Sequence, residues 1–230
     1  MDFDFSNDQE QLRDAVRKWV DKGYTFERHN SIVREGGFSR AAWTELAELG
    51  LCGLYISEDH GGMGMGPTEG MLAMEELGRG IVMEPLAHAL IAGGVFSGYA
   101  PADVQAEWLP KVASGEALIV LAHQERKARY QRDKCEAKAT PAHAGWTLTA
   151  TKSIVPAGDQ ADAYLVPAMV DGTLAMFLVE RNASGVIAQG YGTQDGSRAA
   201  EVVFDNAAAT LVTRDGLTAL EHAVDIGIAA

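Results

Sequence analysis

The chain has 230 residues, 47% of them hydrophobic, and a formal net charge of −13 at pH 7. This length can bury one good hydrophobic core or two smaller ones, and the composition is that of a globular protein without low-complexity segments. The acidic charge argues against nucleic acid or an anionic membrane as a partner, although a small anionic ligand needs only a local basic patch.

The cysteines and the N-terminal residues indicate the cellular compartment of the protein. Cys52 and Cys135 fit neither a metal-ligand spacing nor a disulfide framework, which favours a reducing compartment. Met1 precedes an acidic amphipathic stretch that lacks the basic and apolar regions of a secretory signal. The most apolar stretch, 85–100, is too short to span a bilayer. We therefore expect a soluble, cytoplasmic protein without a metal site.

Residues 1–115 are predicted to form a helical domain. Ser6 fits an N-cap with Gln9 as its capping-box partner, and the amphipathic helix that follows is expected to give way to an irregular segment, 23–30. Ser39 is a second N-cap candidate. Helical spacing of apolar residues continues through 67–78, 86–96 and 101–115.

A glycine-rich loop connects two of these helices. Gly50 fits a left-handed C-cap, Pro67 fits the first turn of the next helix, and four glycines lie between them at 61, 62, 64 and 66. A phosphate-binding loop requires a preceding strand and a following Lys-Ser/Thr pair, and this stretch has neither. A compact turn between packed helices is therefore favoured.

The pattern changes to short strands after residue 116. Residues 146–151 alternate between apolar and polar side chains, and 201–204 is another strand candidate. Two apolar runs, 164–170 and 174–179, flank Asp171-Gly172, a pair that is typical of a tight hairpin turn. Since no helix is long enough for crossover connections, we expect an antiparallel β-barrel or sandwich over 116–213.

Residues 214–230 are predicted to form an amphipathic helix. Leu217, Leu220, Val224 and Ile228 share its apolar face, which needs a surface to pack against. The helix either folds back on the first domain or opens a third, incomplete helical domain. The predicted fold class is α+β: an N-terminal helical domain, an antiparallel β middle domain and the first helix of a C-terminal helical domain.

One long motif resembles a known family. LAELGLCGLYISEDHGGMGMG at 46–66, followed by MEELGRG at 74–80, is similar to the signature of the N-terminal domain of acyl-CoA dehydrogenases. The order of the predicted domains is also that of the family. Within it, AHQERKARY at 122–130 and GYGTQDGSRAAEV at 190–202 are most similar to the small subunits of pimeloyl-CoA dehydrogenases, which pair with a different large subunit.

The resemblance implies a reaction. The family removes an α-proton and a β-hydride from an acyl-CoA thioester and uses FAD as the hydride acceptor. The α-proton goes to a glutamate on the C-terminal bundle, and Val224 stands at the corresponding position of its first helix. Glu221 and Asp225 are interpreted as solvated, so no catalytic residue is assigned to this chain.

The resemblance also locates the flavin contacts. The family places Thr-Glu-Pro, then Gly-Ser-Asp, after the first β-domain strand, and Lys-x-Trp-Ile-Thr on a second element. Here both threonines are absent, which removes two hydroxyl donors. We expect the flavin to be held by main-chain groups and by stacking on an apolar side chain. The residues predicted to bind the cofactor are His123, Gln124, Glu125, Ile154, Val155 and Pro156. A polar cap at the strand end is a simpler role for His123 than catalysis.

Substrate contacts are predicted from two features. The basic residues Arg126, Lys127, Arg129, Arg132 and Lys134 form either a solvated loop or a site for the phosphates of coenzyme A or FAD. Small residues around Leu90 suit a helix that roofs an acyl pocket, and they equally suit close helix packing. Tyr130 stands at the position of the family's serine. The predicted substrate-binding residues are Arg126, Arg129, Tyr130 and Leu90.

Three functions remain open from the sequence. The first is an FAD-dependent acyl-CoA dehydrogenase subunit of fatty acid metabolism. The second is a non-catalytic partner that completes a hetero-oligomeric dehydrogenase, which the altered flavin positions favour. The third is a related flavin oxidase. The expected partners are an acyl-CoA, a homologous or identical subunit in a tetramer-type assembly, and an electron-transfer acceptor.

Overall fold

The computed structural model of the chain describes residues 4–129, 131–143 and 145–230. The helices are α1 (Asn7–Gly23), α2 (Phe26–Arg34), α3 (Arg40–Glu48), α4 (Pro67–Arg79), α5 (Leu86–Tyr99), α6 (Ala102–Ala113) and α7 (Gly216–Ala229). The strands are β1 (Ile119–Leu121), β2 (Lys138–Ala142), β3 (Gly145–Pro156), β4 (Ala163–Val170), β5 (Thr173–Glu180), β6 (Val186–Gly192) and β7 (Arg198–Thr213). This order of helices and strands confirms the α+β fold class.

Local capping signals account for the first helices. Ser6 and Gln9 form the predicted capping box around the start of α1, with bonds of 2.9 and 3.2 Å. The segment predicted to be irregular is instead the helix α2, which begins after Thr25. Ile32 is the one residue of α2 that is fully buried, so apolar spacing gave little sign of this helix.

The glycine-rich loop is a compact turn, as predicted. Gly50 and Gly61 both adopt the left-handed conformation, with φ near 80°. The loop amides of Met63 and Met65 donate to the carbonyls of Gly53 and Leu54 at 3.0 and 2.7 Å. These donors are therefore used within the fold and do not form an anion cradle.

The sheet closes into a barrel. β4, β5, β7, β3 and β2 pair in a ring, because β4 contacts both β5 and β2, while β1 and β6 are added at the outside of β4 and β7. The hairpin between β4 and β5 turns at Asp171 and Gly172, which have φ of 50° and 83°. Two positive φ values are those of the predicted tight turn.

The strand pairing departs from the prediction in detail. β1 pairs in parallel with β4, and β2 also meets β4 in parallel at one position. The remaining pairings are antiparallel. The chain between β1 and β4 is long enough to return in the same direction because it contains the whole β2–β3 hairpin.

The last helix packs back onto the helical part of the chain. Its buried face consists of Gly216, Ala219, Leu220, Ala223 and Ile226. A Cβ added to Gly94 of α5 would lie 2.5 Å from Cδ1 of Ile226, so the two helices approach closely.

The prediction of the apolar face of α7 was partly wrong. Leu217 and Ile228 are 38% and 74% exposed, because the buried face of α7 is formed by other, mostly small, residues. In the part of the chain that is described, no helix is long and apolar enough to cross a membrane.

Candidate functional site

A cavity of about 270 Å³ lies between α5, α7 and the ends of β1 and β3. Most of its lining is apolar, and polar groups come from two histidines and a glutamine. The lining includes His88, Ile91, His123, Gln124, Ile154, Pro156, Val224 and Ile228. The larger apolar side chains of this lining come from Ile91 of α5 and from Val224 and Ile228 of α7.

A second, basic cavity adjoins the first. Its volume is about 160 Å³, and it shares His123, Gln124 and Val224 with the apolar cavity. Arg129 and Arg132 lie on its other wall, together with Lys134. The two cavities together suit a molecule that has an apolar portion joined to an anionic group.

The two histidines of the apolar cavity are neutral near pH 7. Burial lowers the pKa of His88 to about 4, and the neighbouring His123 acts in the same direction. Burial, followed by the charges of Lys152 and Arg132, lowers the pKa of His123 to about 4. His88 accepts a hydrogen bond at Nδ1 from the backbone N–H of Leu121 at 3.3 Å.

Glu125, predicted to contact a cofactor, has its carboxylate in a buried ion pair. Lys152 Nζ lies 2.7 Å from Glu125 Oε1, and the backbone amides of Glu136 and Ala137 donate to the same carboxylate at 2.6 and 3.2 Å. Burial alone would raise the pKa of Glu125, but the charge and hydrogen bond of Lys152 hold it below its usual value. This carboxylate fixes the loop after β1.

The other predicted cofactor residues divide into two groups. His123, Gln124, Ile154 and Pro156 line the apolar cavity together. The side chain of Val155 points into the core, where it is 1% exposed.

The polar groups beside Ile154 are already engaged. Ser153 Oγ donates to Glu201 Oε2 at 2.9 Å, and the backbone N–H of Ile154 faces Glu201 Oε1 at 3.4 Å. The backbone carbonyl of Gln124 accepts from the N–H of Ser153 at 2.9 Å. This edge of β3 therefore presents an apolar surface, because its hydrogen-bond donors are already paired.

The predicted substrate residues are not all brought together. Arg126 and Arg129 line one exposed basic surface together, and Arg129 also lines the basic cavity. Arg126 is 80% exposed and pairs with Glu201 at 3.6 Å. Leu90 is fully buried and lies outside the cavity lining. Tyr130 lies outside the described residues.

Sequence reasoning missed His88 and Ile91. Both are on the first turns of α5, three residues apart, and so share one face of the helix. A histidine within the most apolar helix of the chain was the available signal.

Comparisons with known proteins agree with this architecture. Residues 6–116 match the family model of the acyl-CoA dehydrogenase N-terminal domain. Acyl-CoA dehydrogenase FadE12 of Mycobacterium tuberculosis is 29% identical over 189 residues, which are 78% of this chain and 48% of that protein. The chain thus spans about half the length of the curated relatives it matches.

Solved structures share the fold over nearly the whole chain. A variant of the Tcur3481-Tcur3483 steroid ACAD is 26% identical with a TM-score of 0.87, covering 96% of this chain and 60% of that one. A chain of the ChsE4-ChsE5 complex from Mycobacterium tuberculosis is 24% identical with a TM-score of 0.85, covering 100% of this chain and 62% of that one. Residues 6–116 therefore belong to the acyl-CoA dehydrogenase N-terminal domain family, and the chain as a whole is similar to acyl-CoA dehydrogenases in sequence and fold.

Proposed function

We propose that this chain is the acyl-CoA-binding part of an FAD-dependent acyl-CoA dehydrogenase, which converts an acyl thioester to its α,β-unsaturated product. The observation that carries the proposal is the pair of adjoining cavities. The apolar cavity takes the acyl chain, and the basic cavity takes phosphates of coenzyme A through Arg129 and Arg132.

The residues present fit a flavin ring on one side. Ile154 is 56% exposed at the rim of the apolar cavity, beside Pro156, and offers a surface on which an aromatic ring packs. Because Glu201 occupies the donors of Ser153 and Ile154, the polar edge of the ring depends on Gln124 and the main chain near His123. Members of the family bind FAD, which when bound accepts the hydride.

The chain's own residues bind and orient the thioester. Ile91, Val224 and Ile228 exclude water from the acyl chain, and the arginines of the basic cavity fix its other end. None of the described residues that line the two cavities is Asp or Glu. We therefore infer that the carboxylate base comes from outside these residues, for example from a homologous subunit.

The same observation supports a second candidate function. With Val224 at the cavity wall and no Asp or Glu among the described residues that line it, the chain is suited to act as a non-catalytic partner in a hetero-oligomeric dehydrogenase. Cys52 and Cys135 are both free thiols, which suits the proposed cytoplasmic location.

Calorimetry tests the proposal. We expect octanoyl-CoA to bind the purified chain, and the double variant Arg129→Gln/Arg132→Gln to bind octanoyl-CoA and coenzyme A roughly tenfold more weakly, because each arginine contributes charge-assisted bonds to phosphate. Lys138→Gln is the matched control, since Lys138 on β2 lines neither the basic cavity nor the surface around Arg126, and its affinity should stay within about twofold. Failure of octanoyl-CoA to bind, or equal effects of the two substitutions, would contradict the proposal.

The visible spectrum separates the two candidate functions. A flavin band that octanoyl-CoA bleaches, in the chain alone or in complex with a second subunit, supports the dehydrogenase. Bound acyl-CoA with a colourless chain and a flavin carried wholly by the second subunit supports the non-catalytic partner.

A further inference from the structure

His88 is a polar side chain that one neighbour holds in a defined orientation. It lies in the first turn of α5, and its Nδ1 faces the backbone N–H of Leu121 at 3.3 Å. The amide of Ala122 donates to the carbonyl of Leu165 across the β1–β4 pairing. Because successive amides of a strand point in opposite directions, the N–H of Leu121 points away from the sheet towards α5.

This contact determines which ring nitrogen carries the proton. A backbone amide can only donate, so Nδ1 of His88 must be the acceptor and be unprotonated. In the neutral ring the proton is then on Nε2, which becomes a hydrogen-bond donor. Among the described residues none forms a hydrogen bond with Nε2, and the ring lines the apolar cavity.

The surroundings define the group that this donor suits. The cavity wall near His88 includes Ile91 and Ile228, and among its described lining residues there is no lysine, arginine, aspartate or glutamate. A carboxylate placed here would be buried without a counter-charge, which is unfavourable. An unsubstituted alkyl chain would bury the donor without an acceptor. A neutral oxygen avoids both costs.

We propose that His88 makes the cavity selective for acyl groups that carry a neutral oxygen, an oxo or a hydroxyl group, by donating its Nε2–H to that oxygen. This inference rests on the proposed function, because it assigns a substrate class to the same cavity. His88 acts by binding and orienting the acyl group; it takes no part in proton transfer.

Two substitutions separate the ligand contact from the contact with Leu121. In His88→Asn the side-chain carbonyl is near the position of Nδ1 and can accept from Leu121, but no donor reaches the position of Nε2. In His88→Gln the amide nitrogen is near the position of Nε2 and keeps a donor there. A merely structural histidine would tolerate the first change better than the second.

The experiment compares octanoyl-CoA with octanoyl-CoA derivatives that bear an oxo or hydroxyl group at successive positions, using calorimetry with the purified chain. We expect at least one derivative to bind the wild type roughly tenfold more tightly than octanoyl-CoA. In His88→Asn this preference should disappear, so that octanoyl-CoA and its derivatives bind within about twofold of one another, and His88→Gln should retain part of the preference.

The outcomes distinguish the two proposals. If octanoyl-CoA binds and no derivative is preferred, or if His88→Asn keeps the preference, the role of His88 is wrong and the proposed function stands. If neither octanoyl-CoA nor any derivative binds, both proposals fail.

Discussion

Lys152 is fully buried and lies in the centre of a network that ties β3 to the loop after β1. Its ammonium group donates to Glu125 Oε1 at 2.7 Å and to the carbonyl of Pro167 at 3.0 Å, and Cys135 Sγ lies 3.8 Å away. Buried charges are tolerated only when they are paired and hydrogen-bonded, and here both requirements are met. The loop that carries His123 and the basic cavity thus depends on this one cation.

We expect Lys152→Met to lower the free energy of unfolding by about 3–5 kcal/mol, because it leaves the Glu125 carboxylate buried without its counter-charge. Urea denaturation at pH 7 measures this change. The matched control is Lys127→Met, since the Lys127–Glu136 pair is 74% and 57% exposed, and its loss should cost less than about 1 kcal/mol. Equal costs for the two variants would contradict this account.

The pH dependence of the free energy of unfolding is a second test of the Lys152–Glu125 pair. The pKa of Glu125 is lower in the folded protein than in the unfolded chain, so its ionised form contributes stability above the unfolded value that is lost as the pH falls through the folded value. Without Lys152 this difference shrinks. Lys152→Met should therefore lose less stability than the wild type when the pH is lowered below about 4.3, the ordinary pKa of glutamate.

Single side chains were the least predictable part of the site. Glu125 and Val155 were predicted to contact a flavin because they stand at the positions of family motifs. Their side chains are instead buried in the protein. The partner of Glu125 is 27 residues away, and no local pattern encodes such a pairing. His88 was missed because apolar periodicity identifies a helix and does not show which face borders a cavity.

At the scale of the elements, both cavities depend on the contact between α5 and α7. Gly94 and Gly98 lie one turn apart on α5, but only Gly94 meets α7: a Cβ there would be 2.5 Å from Ile226 Cδ1, whereas one at Gly98 would have no atom within 4 Å. Since both cavities include residues of α7, its distance from α5 determines their shape.

We expect Gly94→Val to destabilise the protein by about 1–3 kcal/mol through overpacking against Ile226. Gly98→Val is the control, because it makes the same change of helix propensity on the same helix without the collision. Thermal unfolding measures both variants, and octanoyl-CoA affinity should fall only for Gly94→Val. If the two variants unfold at the same temperature, the close contact does not position α7.

Elements were predictable where a local signal marks them. Ser39 caps the start of α3, and the left-handed Gly50 follows its end. Asp171-Gly172 forms the turn of the β4–β5 hairpin. These positions were predictable because caps and tight turns depend on adjacent residues. β7 runs over 16 residues, but only 201–204 was predicted, since its alanine-rich second half lacks clear alternation. That half is a strand because β3 and β5 pair with it.

At the scale of the whole molecule, Arg198 links the helical part to the barrel. Arg198 at the start of β7 donates from Nε to Asp159 Oδ2 at 2.6 Å and from Nη1 to the carbonyl of Gly36 at 3.0 Å. A Cβ on Gly37 would lie 2.2 Å from the carbonyl oxygen of Gly196, so the two backbones are in direct contact here. Gly36 and Arg198 are 162 residues apart, and sequence alone gives no register for such a contact.

We expect Arg198→Ala to lower the free energy of unfolding by about 2–4 kcal/mol, because Asp159, whose Oδ1 is buried without a partner among the described residues, would lose its counter-charge. Arg40→Ala is the control: Arg40 also joins the two parts, through Asp162, but this pair is 48% and 42% exposed, and its loss should cost less than about 1 kcal/mol. Adding Asp159→Ala to Arg198→Ala should restore part of the lost stability, since the unpaired carboxylate is then gone.

Hydrogen exchange measures the same contact locally. The backbone amides around Gly37 and Gly196 should exchange faster in Arg198→Ala, and not in Arg40→Ala. Equal exchange in the two arginine variants would show that the contact between helices and barrel rests on the continuous apolar core instead.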